Sequence, residues 1–212
     1  MTQLSPTART ELGRHKERAQ SEREALFDVL DSALVCHLSV VLDGAPFVVP
    51  TGFGHDRQTL FLHGSTGAQS LRAGDGMPVC VAVTVLDGII YARSVFNHSM
   101  NYRAAVIHGV ARSLSGDEKL HGLRMITDHL TPGSWEHARL PNKRELAKTS
   151  VLALDLHESS VKLRAGGPED DEADLDLPVW AGVLPVRQVF GQPQPDELLP
   201  AATPVPAHVE NR

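Results

Sequence analysis

The sequence predicts a mainly β protein of the α+β class: six or seven antiparallel strands closed into a small barrel, with a few helices at its periphery. Short apolar, β-branched runs follow one another closely over 34–41, 47–49 and 59–65. Turn residues punctuate them. Asp43-Gly44 is a two-residue hairpin signal, and His55, Asp56, Arg57 and Gln58 form a polar break. No helical stretch separates these runs, as the crossovers of a parallel sheet would require. Closure is the favoured shape because it removes exposed strand edges.

Residues 1–19 read as a loose arm running into a helix, 20–190 as the barrel domain, and 191–212 as an extended tail rich in Pro and Ala. Over 11–31 charged residues dominate, and an apolar minority (Leu12, Ala19, Ala25, Leu26, Val29, Leu30) gathers toward the end. That pattern predicts a polar helix with a late apolar face. The stretch 67–76 predicts a short helix closed by glycines. The apolar run 78–96 is one long strand, or two joined at Asp87-Gly88. A further strand covers 103–115, where Gly109 marks a bulge or a close backbone approach. Residues 116–130 carry Leu120, Leu123, Ile126 and Leu130 at helical spacing and stop at Pro132-Gly133. A shorter helix follows over 142–149. Alternation at Leu152, Leu154 and Leu156 marks a last strand over 150–159. The acidic stretch 166–178 is a loop or flap, after which 179–190 recovers apolar character.

Composition narrows the function. The chain of 212 residues is 42% hydrophobic and 22% charged, which excludes a largely disordered protein. Its 20 basic residues against 26 acidic ones leave a charge of -6, the wrong sign for a sequence-independent nucleic-acid binder. No apolar run approaches the roughly 18 residues that span a bilayer, and the polar N-terminus lacks a signal peptide's apolar segment. The expectation is a cytoplasmic protein without a membrane or nucleic-acid partner. Cys36 and Cys80 sit in apolar runs without metal-binding spacing, so both read as buried free thiols.

Four groupings carry chemistry. The run from Phe61 through His63, Gly64, Ser65 and Gly67 to Ser70 leads a strand through a small-residue turn into a helix. It is either a plain turn or a cradle whose N–H groups hold a phosphate. Asn97 to Arg103 is a dense polar cluster in which Arg103 pairs with a phosphate or a carboxylate, or else a polar turn at the barrel end. The 11 histidines contain no HExxH pattern, so no metal site is predicted. Trp180 follows the acidic loop and either covers a planar cofactor or anchors the C-terminal segment.

Together these pieces resemble the pyridoxamine 5'-phosphate oxidase-like family of flavin-binding split barrels, in particular its flavin-nucleotide-binding and nitroimidazole-resistance-type branch. The resemblance rests on Asp43-Gly44-Ala45-Pro46 before Val48-Val49-Pro50, on Leu60 to Ser65, on Val79 to Thr84, on Leu86-Asp87-Gly88, on His98 to Arg103, and on Trp180-Ala181-Gly182-Val183 with Pro185. It covers about residues 20–190 and implies a six-stranded split barrel that forms a homodimer with FMN at the interface. By this likeness Val49, Pro50 and Thr51 lie along the flavin ring. His63, Gly64, Ser65 and Ser70 lie near its phosphate. Asn101, Tyr102 and Arg103 approach from the facing strand or the partner subunit, and Trp180 closes the site. The family's basic residue after the third strand is missing here, and Arg72 is the displaced substitute. Ala104 stands where the oxidase proper has a flavin-contacting Gln. FAD, a deazaflavin or haem are therefore alternatives to FMN. The implied activity is flavin-dependent oxidoreduction of an unknown small molecule. His63 is the candidate catalytic proton donor or substrate-orienting group, since imidazole titrates near neutrality. A non-catalytic flavin or haem carrier and a cofactor-free interaction module are the alternative readings.

Overall fold

A computed structural model describes residues 3–200 and 202–212. Strand β1 (Ala19–Gln20) precedes helix α1 (Arg23–Ser32). The α-helix predicted over 11–31 thus begins only at residue 23. Before residue 23 the apolar positions are too sparse to cover a core, and Gly13 interrupts them. From Leu26 onward, Leu26, Phe27, Val29 and Leu30 recur at helical spacing, and all four are buried.

Strands β2 (Val35–Leu42) and β3 (Ala45–His55) form the predicted hairpin. Asp43 and Gly44 both have positive φ, 52° and 78°, as a tight two-residue turn demands. Strand β4 (Thr59–Ser65) leads into α2 (Gln69–Gly74), and β5 (Pro78–Tyr91) runs unbroken through Asp87-Gly88. Its register against β6 (Ser99–Val110) shifts between Leu86 and Gly88, so Asp87 is the extra residue of a bulge. After β7 (Arg112–Ser113) come α3 (Gly116–Leu130), α4 (Ser134–His137) and α5 (Lys143–Lys148). Where one last strand is predicted there are two, β8 (Thr149–Asp155) and β9 (Glu158–Arg164), joined through Leu156-His157 but paired with different neighbours, β8 with β4 and β7, β9 with β6 and β1. Strand β10 (Gly182–Pro185) and helix α6 (Ala207–Glu210) complete the chain.

The ten strands form one antiparallel sheet in the order β1-β9-β6-β5-β2-β3-β4-β8-β7, with β10 added to the outer half of β5. The sheet curls into the expected split barrel, with three or four more strands than predicted; the additions are short or peripheral. Leu38, Phe53, Leu60, Val81, Ile107 and Leu154 fill its interior. Gly109 marks the close approach suggested by the sequence. A Cβ there would meet Leu154 Cδ1 at 2.8 Å, so β6 and β8 draw together across the barrel without a bulge. A second, smaller core packs α3 on the outside of β4 and β8 through Phe61, Ile126 and Val151. Gly52 and Gly54 allow this contact. A Cβ on Gly54 would overlap the Met125 backbone, and one on Gly52 would lie 2.7 Å from Leu130 Cδ1. Cys36 is buried, which pushes its thiol up to about 12, whereas Cys80 is only half-buried. Among the described residues no helix is long and apolar enough to cross a membrane.

The acidic stretch after β9 is pinned at its start. Asn101 donates from Nδ2 to the Gly166 carbonyl (2.9 Å), and Arg164 donates to Asn101 Oδ1 (2.8 Å). Asp170 accepts from the Arg93 backbone N–H (2.7 Å) and from its guanidinium (2.8 Å). Only 2% of the Asp170 side chain is exposed. Burial alone would raise its pKa, but the Arg93 N–H and guanidinium outweigh that and hold it below 3.8. This latch fixes where the chain enters the Trp180 segment.

Replacing Gly54 with Ala should cost about 3 kcal/mol of stability, the upper range for overpacking, since backbone rather than a flexible side chain must move. Urea unfolding of Gly54→Ala measures it, and an unchanged midpoint would refute the close contact. The Asp170 carboxyl is depressed by folding, so its contribution is complete above pH 3.8 and is lost as pH falls through the folded-state value. In a Trp135→Phe background, Trp180 emission should change on acidification while circular dichroism still reports a folded barrel. Asp170→Asn should show the acid-type emission already at pH 7.

Candidate functional site

The bulge in β5 builds the main polar feature of the barrel end. Arg103 lies on the inward side of β6, in register with Val85. Because Asp87 is the extra residue, its carboxylate meets that guanidinium in a two-bond fork, with Nε to Oδ2 at 3.0 Å and Nη2 to Oδ1 at 2.9 Å. Nη1 donates to Ser32 Oγ (2.9 Å) and toward the Asp28 carbonyl (3.4 Å) at the end of α1. Of the two partners expected for Arg103, a carboxylate is in place, that of Asp87. Asp87 also accepts at its backbone carbonyl from the Val186 N–H (3.0 Å). Between α1, the bulge and residues 186–189 lies a cleft of about 690 Å³.

A second feature is an aromatic shelf where β10 pairs with β5. The Tyr91 and Trp180 ring centroids are 5.8 Å apart, and those of Tyr91 and His98 are 5.7 Å apart. Gly182 lets the indole fold back, since a Cβ there would meet Trp180 Cζ2 at 3.0 Å. His98 Nδ1 accepts from the Ala92 N–H (3.0 Å), which leaves the imidazole proton on Nε2. Two-thirds of Trp180 is exposed, so it is a shelf and not a core anchor.

The remaining predicted residues lie on β3, β4 and α2. Val49 packs against the core, Pro50 is exposed, and Thr51 donates to the Gly52 carbonyl (3.2 Å). His63 shares the face of Phe61, outside the barrel. Its Nδ1 is buried without a partner among the described residues, and burial lowers its pKa, so the ring is neutral at pH 7. The turn after it spends its own donors. The Thr66 N–H goes to the Lys148 carbonyl, and those of Gly67 and Ala68 go to Oγ and O of Ser65. The expected backbone cradle is therefore reduced to the first turn of α2, beside buried Ser70 and exposed Arg72. Gly64 is required here, because a Cβ would lie 2.9 Å from Leu71 Cδ1.

Within one chain these residues fall into two groups. Val49–Thr51, His63–Ser65, Ser70 and Arg72 form one; Asn101–Arg103 and Trp180 form the other. No strand pair or hydrogen bond among the described residues joins them. Asn101 holds the acidic loop, and Tyr102 points to the other sheet face, in register with Leu86 and Arg164. Sequence reasoning missed Asp87, Ser32 and Arg187 as site residues. An Asp-Gly pair inside an apolar strand was the available signal for the first; nothing marked the other two. Among the described residues no three His, Cys, Asp or Glu side chains converge as a metal site.

The sequence profile of the pyridoxamine 5'-phosphate oxidase family matches residues 22–163. No curated protein matches the chain. Among solved structures, the flavocytochrome Anf3 from Azotobacter vinelandii is 33% identical, with a TM-score of 0.92 over 98% of both chains. The FAD and haem binding protein from Mycobacterium smegmatis is 38% identical, with a TM-score of 0.88 over 92% of this chain and 96% of that one. A protein described as a 5-nitroimidazole antibiotic resistance protein, from Bacteroides thetaiotaomicron, is 21% identical with a TM-score of 0.58, over 68% of this chain and 85% of that one, and so shares the fold. With the barrel, the Trp180 segment and the profile in agreement, the chain belongs to the pyridoxamine 5'-phosphate oxidase family.

Proposed function

We propose that this protein is a flavin- and haem-binding redox protein that works as a homodimer. The observation that carries the reading is its end-to-end likeness, through the C-terminal segment, to a flavocytochrome and to an FAD and haem binding protein. That likeness puts the dinucleotide FAD ahead of the FMN first expected. When bound, a flavin supplies hydride and single-electron transfer, and haem adds one-electron and oxygen chemistry.

The residues present suit both groups. For the flavin, Tyr91 and Trp180 offer an aromatic shelf, and Arg72 offers a cation without an ion-pair partner among the described residues, next to the uncapped first turn of α2. His63, neutral and half-buried, is an acceptor or orienting group for substrate rather than a standing acid. An imidazole is one ligand that haem iron takes, and an apolar slot with a cation nearby would suit the macrocycle and its carboxylates. The slot between the end of α3 and α6 places His208 beside Leu130, Phe190 and Val209, with Arg212 at its edge.

The dimer reading has its own support. Leu184, Ile89 and Met100 form one row across β10, β5 and β6. Tyr91 and Trp180 continue it, and at the hairpin tip Val95 and Phe96 are 83% and 91% exposed. Burying one such phenylalanine gains about 2 kcal/mol, so a second copy of this face is a fitting partner.

A purified sample should show flavin bands and a Soret band, and the nucleotide released on denaturation should elute as FAD. A colourless protein whose melting temperature is unmoved by FMN, FAD or haemin would overturn the reading. Sedimentation should give a dimer, and Phe96→Asp should raise its dissociation constant at least tenfold. A wild-type monomer at micromolar concentration would remove the two-subunit site.

A further inference from the structure

We propose that the cleft beneath residues 186–189 binds an anionic organic molecule, an apolar body carrying a carboxylate, sulfonate or phosphate, and that Arg187 holds its charge. Part of the wall is apolar, formed by Val35, Val85, Leu86 and Val189. At about 690 Å³ the cleft is within the range of small-molecule sites.

Its charges do not balance. Among the described residues three charged ones line it, Asp87, Arg103 and Arg187. Asp87 and Arg103 neutralise one another in their fork, and Ser32 takes a further Arg103 donor. Arg187 forms no ion pair among the described residues, so among the charged lining residues it alone lacks a partner, beside the apolar part of the wall. A guanidinium in that setting favours a planar or tetrahedral oxyanion, which it can meet through two parallel N–H donors.

The backbone that carries the cation is anchored. Strand β10 pairs with β5 from Gly182↔Tyr91 to Pro185↔Gly88, and the Val186 N–H donates to the Asp87 carbonyl (3.0 Å). Arg187 therefore leaves a backbone fixed to the bulge at the cleft's floor. Among the described residues no His, Cys, Met or Tyr lines the cleft, so no lining side chain there could ligate haem iron. This inference does not depend on the flavin and haem reading. A flavin nucleotide's own phosphate and a separate anionic substrate share the required chemistry, and the test separates them.

The probe is 1-anilinonaphthalene-8-sulfonate, titrated by fluorescence into the purified full chain. Its neutral counterpart, N-phenyl-1-naphthylamine, lacks the sulfonate. Arg187→Ala should weaken sulfonate binding about tenfold, the scale of one lost charge-assisted hydrogen bond, and leave the neutral probe unchanged. Arg187→Lys should recover most of the loss. Gln188→Glu, on the exposed lining segment, should weaken the sulfonate alone. If FAD displaces the probe and Arg187→Ala weakens FAD as well, the anion is the flavin's phosphate. If the Arg187-dependent binding survives saturation with FAD, the site serves a separate substrate. The proposal falls if folded Arg187→Ala, judged by circular dichroism, binds the sulfonate as tightly as the wild type, or loses both probes equally.

Discussion

The Asp87–Arg103 fork ties together the parts of the molecule that the site needs. One inserted residue in β5 turns a carboxylate toward the facing strand, where an arginine takes both of its oxygens. The same guanidinium reaches the end of α1, and the carbonyl of the same aspartate receives the C-terminal segment. Two strands, a helix end and the Arg187 segment thus meet at one bulge. Both side chains are partly exposed, so screening limits what the pair adds to global stability. Its larger effect is geometric: it sets the depth and the charge of the cleft.

The second organising device is the removal of side chains where layers must touch. Gly54 admits α3 against β3, Gly109 admits Leu154 across the barrel, and Gly182 admits the Trp180 ring. At each place a methyl group would meet backbone or a packed side chain. These contacts hold the barrel closed, seat α3 outside it and aim the aromatic shelf. The Asp170 latch then fixes the acidic loop leading to that shelf, which makes the loop's entry part of the fold and not a free flap.

The division of the expected site into two groups has a physical reading. The β3–β4–α2 group offers a cation and a helix start, and the β6–Trp180 group offers aromatic rings and a charged cleft. A cofactor with a planar ring and a phosphate needs both kinds of surface. A homodimer can bring one group from each subunit together, which links the exposed apolar row on β10, β5 and β6 to the chemistry.

Local signals determined a great deal. The Asp43-Gly44 turn, the alternation in β8, the spacing of α3 and the close approach at Gly109 were legible because each depends on neighbouring residues and backbone geometry. The order of short motifs from Asp43 to Pro185 also carried the family. Other features were decided only when distant segments met. Helix α1 begins at residue 23 because only there does an apolar face find a core. Strand β9 escaped notice because its partners, β6 and β1, lie far away in sequence. Asp87-Gly88 looks like a turn along the chain, yet pairing with β6 keeps the strand continuous and converts it to a bulge. That a carboxylate stands beside Arg103 was decided by the register that brings Asp87 there, and Arg187 reaches the cleft only because β10 docks on β5. Sequence periodicity reports which face of an element is apolar; which charges face each other is settled by register and by chain segments meeting across the fold.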